Sequence, residues 1–229
     1  MANVITRIWS EYKDESPATV FHVIGRAVAC PFLRLLPYFP ESGKILDIGC
    51  GHGVLLNLLA CDSANRGRRL TGIDHALNKI EIAARCAADP DMRFSTTSLE
   101  SFPDGEFDAV SIVDVMCTIG MDKWKGIFDN CFRILKPEGR LILKETITRP
   151  LWKYWLIMLE EIIAIELVKI TKGESPHIES VETHRKWLGK SGFDIVEEKP
   201  VNTIHWASQY LFIARKAGLS GKRIGDGTR

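Results

Sequence analysis

Short β-branched runs alternate with longer helical patterns through the middle of the chain. The runs predicted as strands are residues 44–48, 69–73, 92–95, 107–113 and 139–144. The stretches predicted as helices between them are residues 54–61, 76–88 and 122–135, and Pro137, Glu138 and Gly139 are predicted to form a turn before the fifth strand. This alternation is typical of a parallel sheet covered by helices on both faces.

The last third of the chain contains two more predicted strands, at residues 193–198 and 209–215. Because about ten residues without a helical pattern join them, we expect these strands to pair antiparallel. A predicted helix at residues 180–191 precedes them, and Ser180 is its natural N-cap. The predicted fold class is therefore α/β, a Rossmann-like doubly wound sheet of seven strands, mostly parallel, with an antiparallel C-terminal strand pair and helices on both faces.

The pattern also divides the chain into parts. Residues 1–43 are predicted as an N-terminal helical cover, with a helix at residues 18–36, and residues 44–216 as the main domain. Residues 217–229 are rich in glycine and net basic, without apolar periodicity, and are predicted as a flexible tail.

One segment of the main domain, residues 151–170, is strongly apolar but interrupted by charges at Lys153, Glu160, Glu161, Glu166 and Lys169. Each central charge costs roughly 2.5–3.5 kcal/mol on the insertion scale, which excludes a membrane-spanning helix. We predict a lid helix inserted at about residues 150–178, with Trp152, Tyr154 and Trp155 facing a hydrophobic acceptor pocket. A core helix and a contact with a membrane surface or a second subunit stay open as alternatives.

Composition adds constraints on partners and compartment. The 229 residues contain 30 Lys and Arg against 29 Asp and Glu, so the formal net charge is +1 and there is no overall basic excess for binding nucleic acid. The six cysteines form no CxxC pair, which favours reduced thiols in a cytosol over disulfides or a zinc site. The first residues lack the apolar region of a secretory signal, and we expect a cytoplasmic location.

The strongest candidate chemistry is the glycine-rich turn at residues 47–53, DIGCGHG, between a predicted strand and a predicted helix. Glycines permit a tight turn and a close approach of a ligand to the backbone. Asp74 ends the second strand, where a carboxylate can accept two hydrogen bonds from a ribose diol. The third glycine comes one position earlier than in the GxGxxG fingerprint, and Asp47 would repel a pyrophosphate. A turn without a ligand is the alternative, but the combination favours an adenosine-bearing cation over NAD.

Four motifs in this order, LDIGCGHG, GID, LESFPDGEFDAVSIVDV and FRILKPEGRLILKE, resemble the class I S-adenosylmethionine-dependent methyltransferases. The resemblance runs from about residue 43 to residue 216 and is greatest to the small-molecule branch, a type 11-like methyltransferase domain related to quinone-biosynthesis C-methyltransferases. It implies S-adenosyl-L-methionine as the cofactor.

The resemblance also implies roles for individual residues. Asp47 is expected to orient the methionyl amino end, Asp74 to hold the ribose hydroxyls, and His75 to lie beside the adenine. Ser98 stands where the family commonly has Asp, which weakens the expected contact with the adenine amino group. The implied cofactor-binding residues are Asp47, Gly49, Cys50, Gly51, Gly53, Asp74, His75, Ser98, Leu99, Asp114 and Val115.

The acceptor is expected beyond the carboxyl ends of the parallel strands, where open α/β sheets bind ligands. Trp152, Trp155 and Trp206 are the candidate substrate contacts. Glu145, His177 and His205 are the candidate catalytic residues, and a base is needed only if the acceptor must lose a proton. No metal site is expected, because Ser180 and Glu182 are explained by the start of a helix.

The expected function is methyl transfer by direct displacement to a small, fairly apolar acceptor, such as a phenolic, quinone-like, polyene or lipid-linked molecule. The alternatives are a nicotinamide-dependent reductase, although no tyrosine has a lysine four residues later, and a non-catalytic cofactor-binding partner protein. We expect no nucleic acid partner and no transmembrane segment. Peripheral membrane contact, a homodimer and protein acceptors stay open.

Overall fold

The computed structural model describes residues 2–147, 178–201 and 208–216, with side chains from residue 5 onward. The proposed lid at about residues 150–178 falls almost entirely outside these residues, as do the tail at residues 217–229 and the loop that carries His205 and Trp206.

A seven-stranded mixed sheet forms the centre of the protein. Its strands are β1 (Gly43–Ile48), β2 (Arg68–Ile73), β3 (Arg93–Ser95), β4 (Phe107–Val113), β5 (Leu135–Thr146), β6 (Phe193–Pro200) and β7 (Gln209–Lys216). The strand order is β3-β2-β1-β4-β5-β7-β6. The first five strands are parallel, and β7 pairs antiparallel with both β5 and β6. The predicted fold class is confirmed, including the antiparallel pair at the C-terminal end.

Helices cover both faces of this sheet. They are α1 (Ala2–Tyr12), α2 (Pro17–Ala29), α3 (Phe32–Leu35), α4 (Val54–Ala60), α5 (Leu77–Arg85), α6 (Met121–Ile134) and α7 (Val181–Lys190). The first five helices pack with one face of the strands in one hydrophobic cluster, and α6 and α7 pack with the other face in a second cluster. Alternating strand residues supply the two clusters; Ile142, for example, belongs to the first and Leu143 to the second.

The N-terminal cover differs from its prediction. The single helix expected at residues 18–36 is two helices, and the break lies at Cys30 and Pro31. Cys30 is extended (φ −90°, ψ 133°), because the ring of a following proline disfavours helical backbone at the residue before it. The helix α1 was not predicted. The side chain of Ser16 caps α2 by accepting a hydrogen bond from the backbone N–H of Thr19.

The structure also corrects the turn predicted at residues 137–139. β5 begins at Leu135 and continues through these residues to Thr146. The pairing with β4 shifts there, from Phe107 opposite Leu135 to Ala109 opposite Arg140, and Glu138 adopts φ 60°. The proline and glycine therefore mark an irregularity within a strand, because the sheet continues its pairing around the extra residues.

No single helix of the described residues has both the length and the hydropathy of a membrane span. Residues Pro17–Ala29 followed by Phe32–Tyr38 have both only when taken together, and this pair is bent by 52°.

Candidate cofactor cleft

A cleft of about 940 Å³ opens beyond the carboxyl ends of β1, β2 and β4. Its floor contains the turn after β1, with Gly49, Cys50 and Gly51. The turns after β2 and β4 add Asp74 and Asp114. The strand ends therefore bring together two acids, Asp74 and Asp114, that are 40 residues apart along the chain.

Gly49, Gly51 and Gly53 of the glycine turn all have the positive φ that glycine adopts easily. Gly49 has φ 68°, and an added Cβ would collide with Cγ2 of Val115, which follows β4. Gly51 has φ 54° and faces open space in the cleft, where an added Cβ would meet no atom within 4 Å. The first glycine thus permits close packing of two turns, and the second leaves the backbone accessible to a ligand.

Asp74 connects the turn after β2 to the glycine turn. Its carboxylate accepts hydrogen bonds from the backbone N–H of Gly51 at 3.0 Å and of Ala76 at 2.9 Å. The side chain is only 7% exposed, whereas the neighbouring His75 is 88% exposed. Asp74 is therefore held in one position at the wall of the cleft, and a carboxylate in this position can accept further hydrogen bonds from a ligand.

Asp47 is buried at the floor of the cleft. It lies opposite Ser111 of β4, whose hydroxyl donates a hydrogen bond to Oδ1 at 2.6 Å. Burial raises the pKa of Asp47 to about 7, and the nearby charge of Asp74 adds to this, against the effects of Ser111 and Arg26. Among the described residues, no basic side chain forms an ion pair with it. The buried carboxylate therefore lacks a cationic partner within the part of the chain that the structure describes.

Asp114, at the end of β4, has such partners. Nζ of Lys144 lies 2.7 and 2.6 Å from its two carboxylate oxygens, and Nη1 of Arg26 lies 2.8 Å from Oδ2. Asp114 also has φ 55°, a left-handed conformation that Asp tolerates better than most residues. Burial alone would raise the pKa of Asp114, but Lys144 and Arg26 outweigh burial and hold the pKa below its ordinary value.

Comparison with known proteins identifies the architecture. A family described as methyltransferase domain matches residues 21–198. The chain belongs to this methyltransferase family.

Three curated relatives of this methyltransferase domain differ in what their names describe. A demethylmenaquinone methyltransferase of Tropheryma whipplei is 32% identical over 122 residues, which are 52% of this chain and 47% of the relative. A ubiquinone biosynthesis O-methyltransferase of Actinobacillus pleuropneumoniae is 28% identical over 125 residues, 51% and 50% of the two chains. The tRNA N(3)-methylcytidine methyltransferase trm140 of Schizosaccharomyces pombe is 22% identical over 150 residues, 61% and 48%. The chain spans about half the length of these relatives.

Two solved structures share the methyltransferase fold. An S-adenosylmethionine-dependent methyltransferase of Methanosarcina mazei superposes with a TM-score of 0.64 at 22% identity, covering 82% of this chain and 98% of the other. The cyclopropane synthase MmaA2 of Mycobacterium tuberculosis gives 0.62 at 15% identity, covering 81% and 82%. At these identities the likeness shows the fold alone.

S-adenosylmethionine is the cofactor of this class of methyltransferase, and the cleft residues suit it. The cofactor carries positive charge on its sulfonium and amino groups, and Asp47 is a buried acid without a cationic partner among the described residues. Its ribose has two hydroxyls, and Asp74 is a fixed acceptor at the cleft wall. The open backbone at Gly51 would let the cofactor lie close to the turn.

Only some of the other residues predicted to bind the cofactor line the cleft. Cys50, His75 and Val115 line the cleft, while Gly53 caps the start of α4. Ser98 and Leu99 are not among the described residues that line it. Glu100, the next residue, does line it, and the backbone carbonyl of Leu99 accepts a hydrogen bond from Arg133. The role of Ser98 and Leu99 at the adenine stays a prediction.

Of the predicted catalytic residues, the structure describes only Glu145. It is fully buried and is not among the described cleft residues. Its Oε1 accepts hydrogen bonds from the backbone N–H groups of Val115 at 3.0 Å and Met116 at 2.9 Å, and Oε2 has no partner among the described residues. Burial, followed by the charge of Asp114, raises the pKa of Glu145 to about 8. His177, His205, Trp152, Trp155 and Trp206 lie outside the described residues.

Sequence reasoning missed the contribution of the N-terminal cover. The helix α2 lines the cleft with His22, Val23 and Arg26, and the rings of His22 and His52 meet edge to face with centroids 5.2 Å apart. Burial lowers the pKa of His52 to about 4, with smaller contributions from His22 and Lys79. One signal was available in the sequence, because Arg26 is an isolated charge within an otherwise apolar helix.

Proposed function

We propose that this chain transfers a methyl group from S-adenosylmethionine to a small, fairly apolar acceptor. The observation that carries the proposal is Asp47, a buried carboxylate at the glycine turn with a pKa raised to about 7 and no ion-pair partner among the described residues. A buried carboxylate is costly unless it is paired, and a cationic cofactor supplies the missing charge.

The bound cofactor supplies an activated methyl group on a sulfonium, which a nucleophile takes in a single displacement that leaves a neutral thioether. The protein's task is to hold the two reactants in line, and positioning of this kind contributes roughly 7–11 kcal/mol to lowering the barrier. Asp47 holds the positively charged end and Asp74 the ribose, while Gly49 and Gly51 allow the cofactor to lie against the turn. Asp114 and Val115 border the same cleft.

A proton must leave the acceptor only if the nucleophile is a hydroxyl or an acidic carbon. We keep His177 and His205 as the proposed bases for that case. For Glu145 we propose a positioning role, because its described hydrogen bonds run to the backbone after β4 and it does not line the described cleft.

The acceptor class is supported by the relatives rather than by the site. Two of them are named for ubiquinone biosynthesis and for demethylmenaquinone, and both names describe small molecules. Because one relative is named for tRNA, nucleic acid is the competing acceptor. The net charge of +1 does not favour nucleic acid binding. The nicotinamide alternative is disfavoured because Asp47 would face a pyrophosphate.

Calorimetry with S-adenosylmethionine and S-adenosylhomocysteine tests the cofactor. We expect sub-millimolar binding of both, and a loss of about 10- to 100-fold in affinity in Asp74→Ala, because charge-assisted hydrogen bonds are worth roughly 1.5–3 kcal/mol. Asp91→Ala removes an exposed acid outside the described cleft and is the matched control. Absence of binding in the wild type would refute the proposal.

Incubation of a cell extract with methyl-labelled cofactor tests the acceptor. Separate analysis of the organic-soluble, protein and RNA fractions, followed by mass identification of the labelled product, distinguishes the candidates. We expect the label in the organic-soluble fraction, and label confined to RNA would replace the small acceptor by tRNA.

A further inference from the structure

The surface formed by residues 17–40 is almost free of polar side chains. Its exposed residues are Pro17, Ala18, Phe21, Gly25, Val28, Leu33, Arg34 and Pro37. Arg34 is the one charged residue in this set, and no acidic residue occurs between Glu15 and Glu41. About 25% of the residues of a typical soluble domain are charged, and these are mostly exposed, so one charged residue among these eight is a low share. We call these eight residues the α2–α3 face.

The exposed apolar residues of α2 form one stripe along the helix. At about 100° per residue, Phe21, Gly25 and Val28 fall within roughly 60° of one another. Phe21 is 82% exposed and Val28 is 38% exposed, and Leu33 of α3 is 48% exposed. The rings and methyl groups of these residues contact water rather than the described part of the protein.

The same helix has two other functional sides. Val20 and Val23 are buried, roughly opposite the exposed stripe. His22 and Arg26 lie between the two and line the cleft. Whatever covers the α2–α3 face therefore comes close to the mouth of the cleft, because one helix of 13 residues carries both.

We propose that the α2–α3 face docks onto the surface of a lipid bilayer. This inference rests on the proposed function in one respect, since an apolar acceptor dissolved in the bilayer would then meet the cleft where α2 borders it. An apolar helix face without acidic residues is suited to the boundary between headgroups and acyl chains, because it offers no exposed acid that anionic headgroups would repel.

A lipid surface fits this face better than a protein partner does. Protein interfaces contain about one hydrogen bond per 100–200 Å² of buried surface. The α2–α3 face offers Arg34 as its one polar side chain, so few such bonds could form through side chains. An acyl layer requires none, and it accepts an exposed phenylalanine directly.

Flotation of the full chain with vesicles tests the proposal. The vesicles are phosphatidylcholine alone and a 3:1 mixture, by approximate molar ratio, with phosphatidylglycerol. We expect the wild type to float with the mixed vesicles, and Phe21→Glu to lose roughly tenfold or more in partitioning. Phe21→Trp should keep the binding, because tryptophan is favoured at membrane interfaces.

Val196→Glu is the matched control. Val196 is an apolar residue 50% exposed on the edge strand β6, outside the α2–α3 face. The Val196→Glu variant should float to the same extent as the wild type. Circular dichroism melting of all variants shows whether each one folds, and the high exposure of Phe21 predicts little change in stability.

Two results would overturn the docking proposal. One is a wild-type protein that stays out of both kinds of vesicle. The other is a Phe21→Glu variant that floats to the same extent as Val196→Glu. If light scattering also shows that Phe21→Glu has lost self-association, the face belongs to a contact with a second copy of the chain. Cofactor calorimetry and the labelling of a cell extract do not depend on vesicles, so failure of the proposed function and failure of membrane docking are separately visible.

Discussion

Two carboxylates that are largely shielded from water, at the ends of neighbouring strands, behave in opposite ways. Asp47, on β1, has a pKa raised to about 7, and Asp114, after β4, has a pKa below its ordinary value. Burial pushes both pKa values upward. The difference comes from their partners, because Lys144 and Arg26 contact Asp114 directly, whereas Ser111 is the hydrogen-bond donor described for Asp47.

This difference distinguishes an acid that stabilises the fold, Asp114, from an acid proposed to bind a ligand, Asp47. Asp114 receives its positive charges from the protein itself, and the ion pairs connect β4, β5 and α2 around the cleft. Asp47 forms no ion pair among the described residues, and we propose that the cofactor supplies its compensating charge. An acid that is buried, uncompensated and open to a cleft is therefore a better indicator of a binding site than an acid with strong ion pairs.

The largest effect is expected from Lys144→Met, which removes the buried cation beside Asp114. Breaking a buried ion pair by losing one partner typically costs about 3–5 kcal/mol, and we expect a loss in that range in urea unfolding. Lys44→Met is the matched control, since Lys44 pairs with Glu106 near the surface, and its cost should stay below about 1 kcal/mol. Equal losses in the two variants would show that Asp114 does not depend on Lys144.

The glycine turn allows a second comparison, between Gly49→Ala and Gly51→Ala. Both require an unfavourable positive φ, which costs roughly 1–2 kcal/mol. Gly49→Ala also collides with Val115, and we expect a total cost of about 2–4 kcal/mol in urea unfolding. Gly51→Ala should cost less in stability but still lower cofactor affinity in calorimetry, because its Cβ projects into the cleft. The reverse order of stabilities would contradict the packing of the two turns.

Asp47→Asn tests the uncompensated acid. Because the pKa of Asp47 is about 7, cofactor affinity of the wild type should rise between pH 6 and pH 8 as the carboxylate ionises. The variant should bind about 10- to 100-fold more weakly at pH 8, with little dependence on pH. Calorimetry across this pH range makes the measurement, and an unchanged pH dependence in the variant would remove Asp47 from the site.

The same variant has a predicted effect on stability without cofactor. A carboxyl whose pKa is raised on folding favours the folded state fully below its unfolded pKa, and this contribution is lost as the pH rises through about 7. The wild type should therefore lose stability relative to Asp47→Asn as the pH rises from about 4 to about 7. Parallel urea midpoints for the two proteins would contradict the raised pKa.

Glu145→Gln should have the smallest destabilising effect. The pKa of about 8 leaves Glu145 mostly protonated in the folded state at pH 7, and a neutral amide oxygen can accept the same two backbone hydrogen bonds, so we expect no loss of stability there. As the pH rises from about 4.5 to about 8 the wild type should lose stability relative to the variant, because the unfolded carboxyl ionises at a lower pH than the folded one. A fall of kcat by roughly a hundredfold or more at pH 7, with unchanged stability, would instead indicate a catalytic base.

Local sequence patterns predicted most of the sheet and part of the cleft. Strands such as Phe107–Val113 were found because their apolar runs are buried on both faces, and the glycine turn and Asp74 were found because each directly follows a strand. The course of β5 through residues 137–139 was missed, because proline and glycine read as a turn until a neighbouring strand provides the pairing. Arg26 and Asp114 are 88 residues apart, and no local pattern connects them.

The sequence by itself determined the fold class, with its parallel strands and antiparallel C-terminal pair, and the acids at the glycine turn, because these depend on residues close together along the chain. Tertiary structure decided which acid is compensated. Asp47 and Asp114 look alike in sequence, each at the end of a β-branched strand. Only the folded chain places Lys144 and Arg26 beside one and leaves Ser111 beside the other, and charge interactions depend on distance in space rather than along the chain.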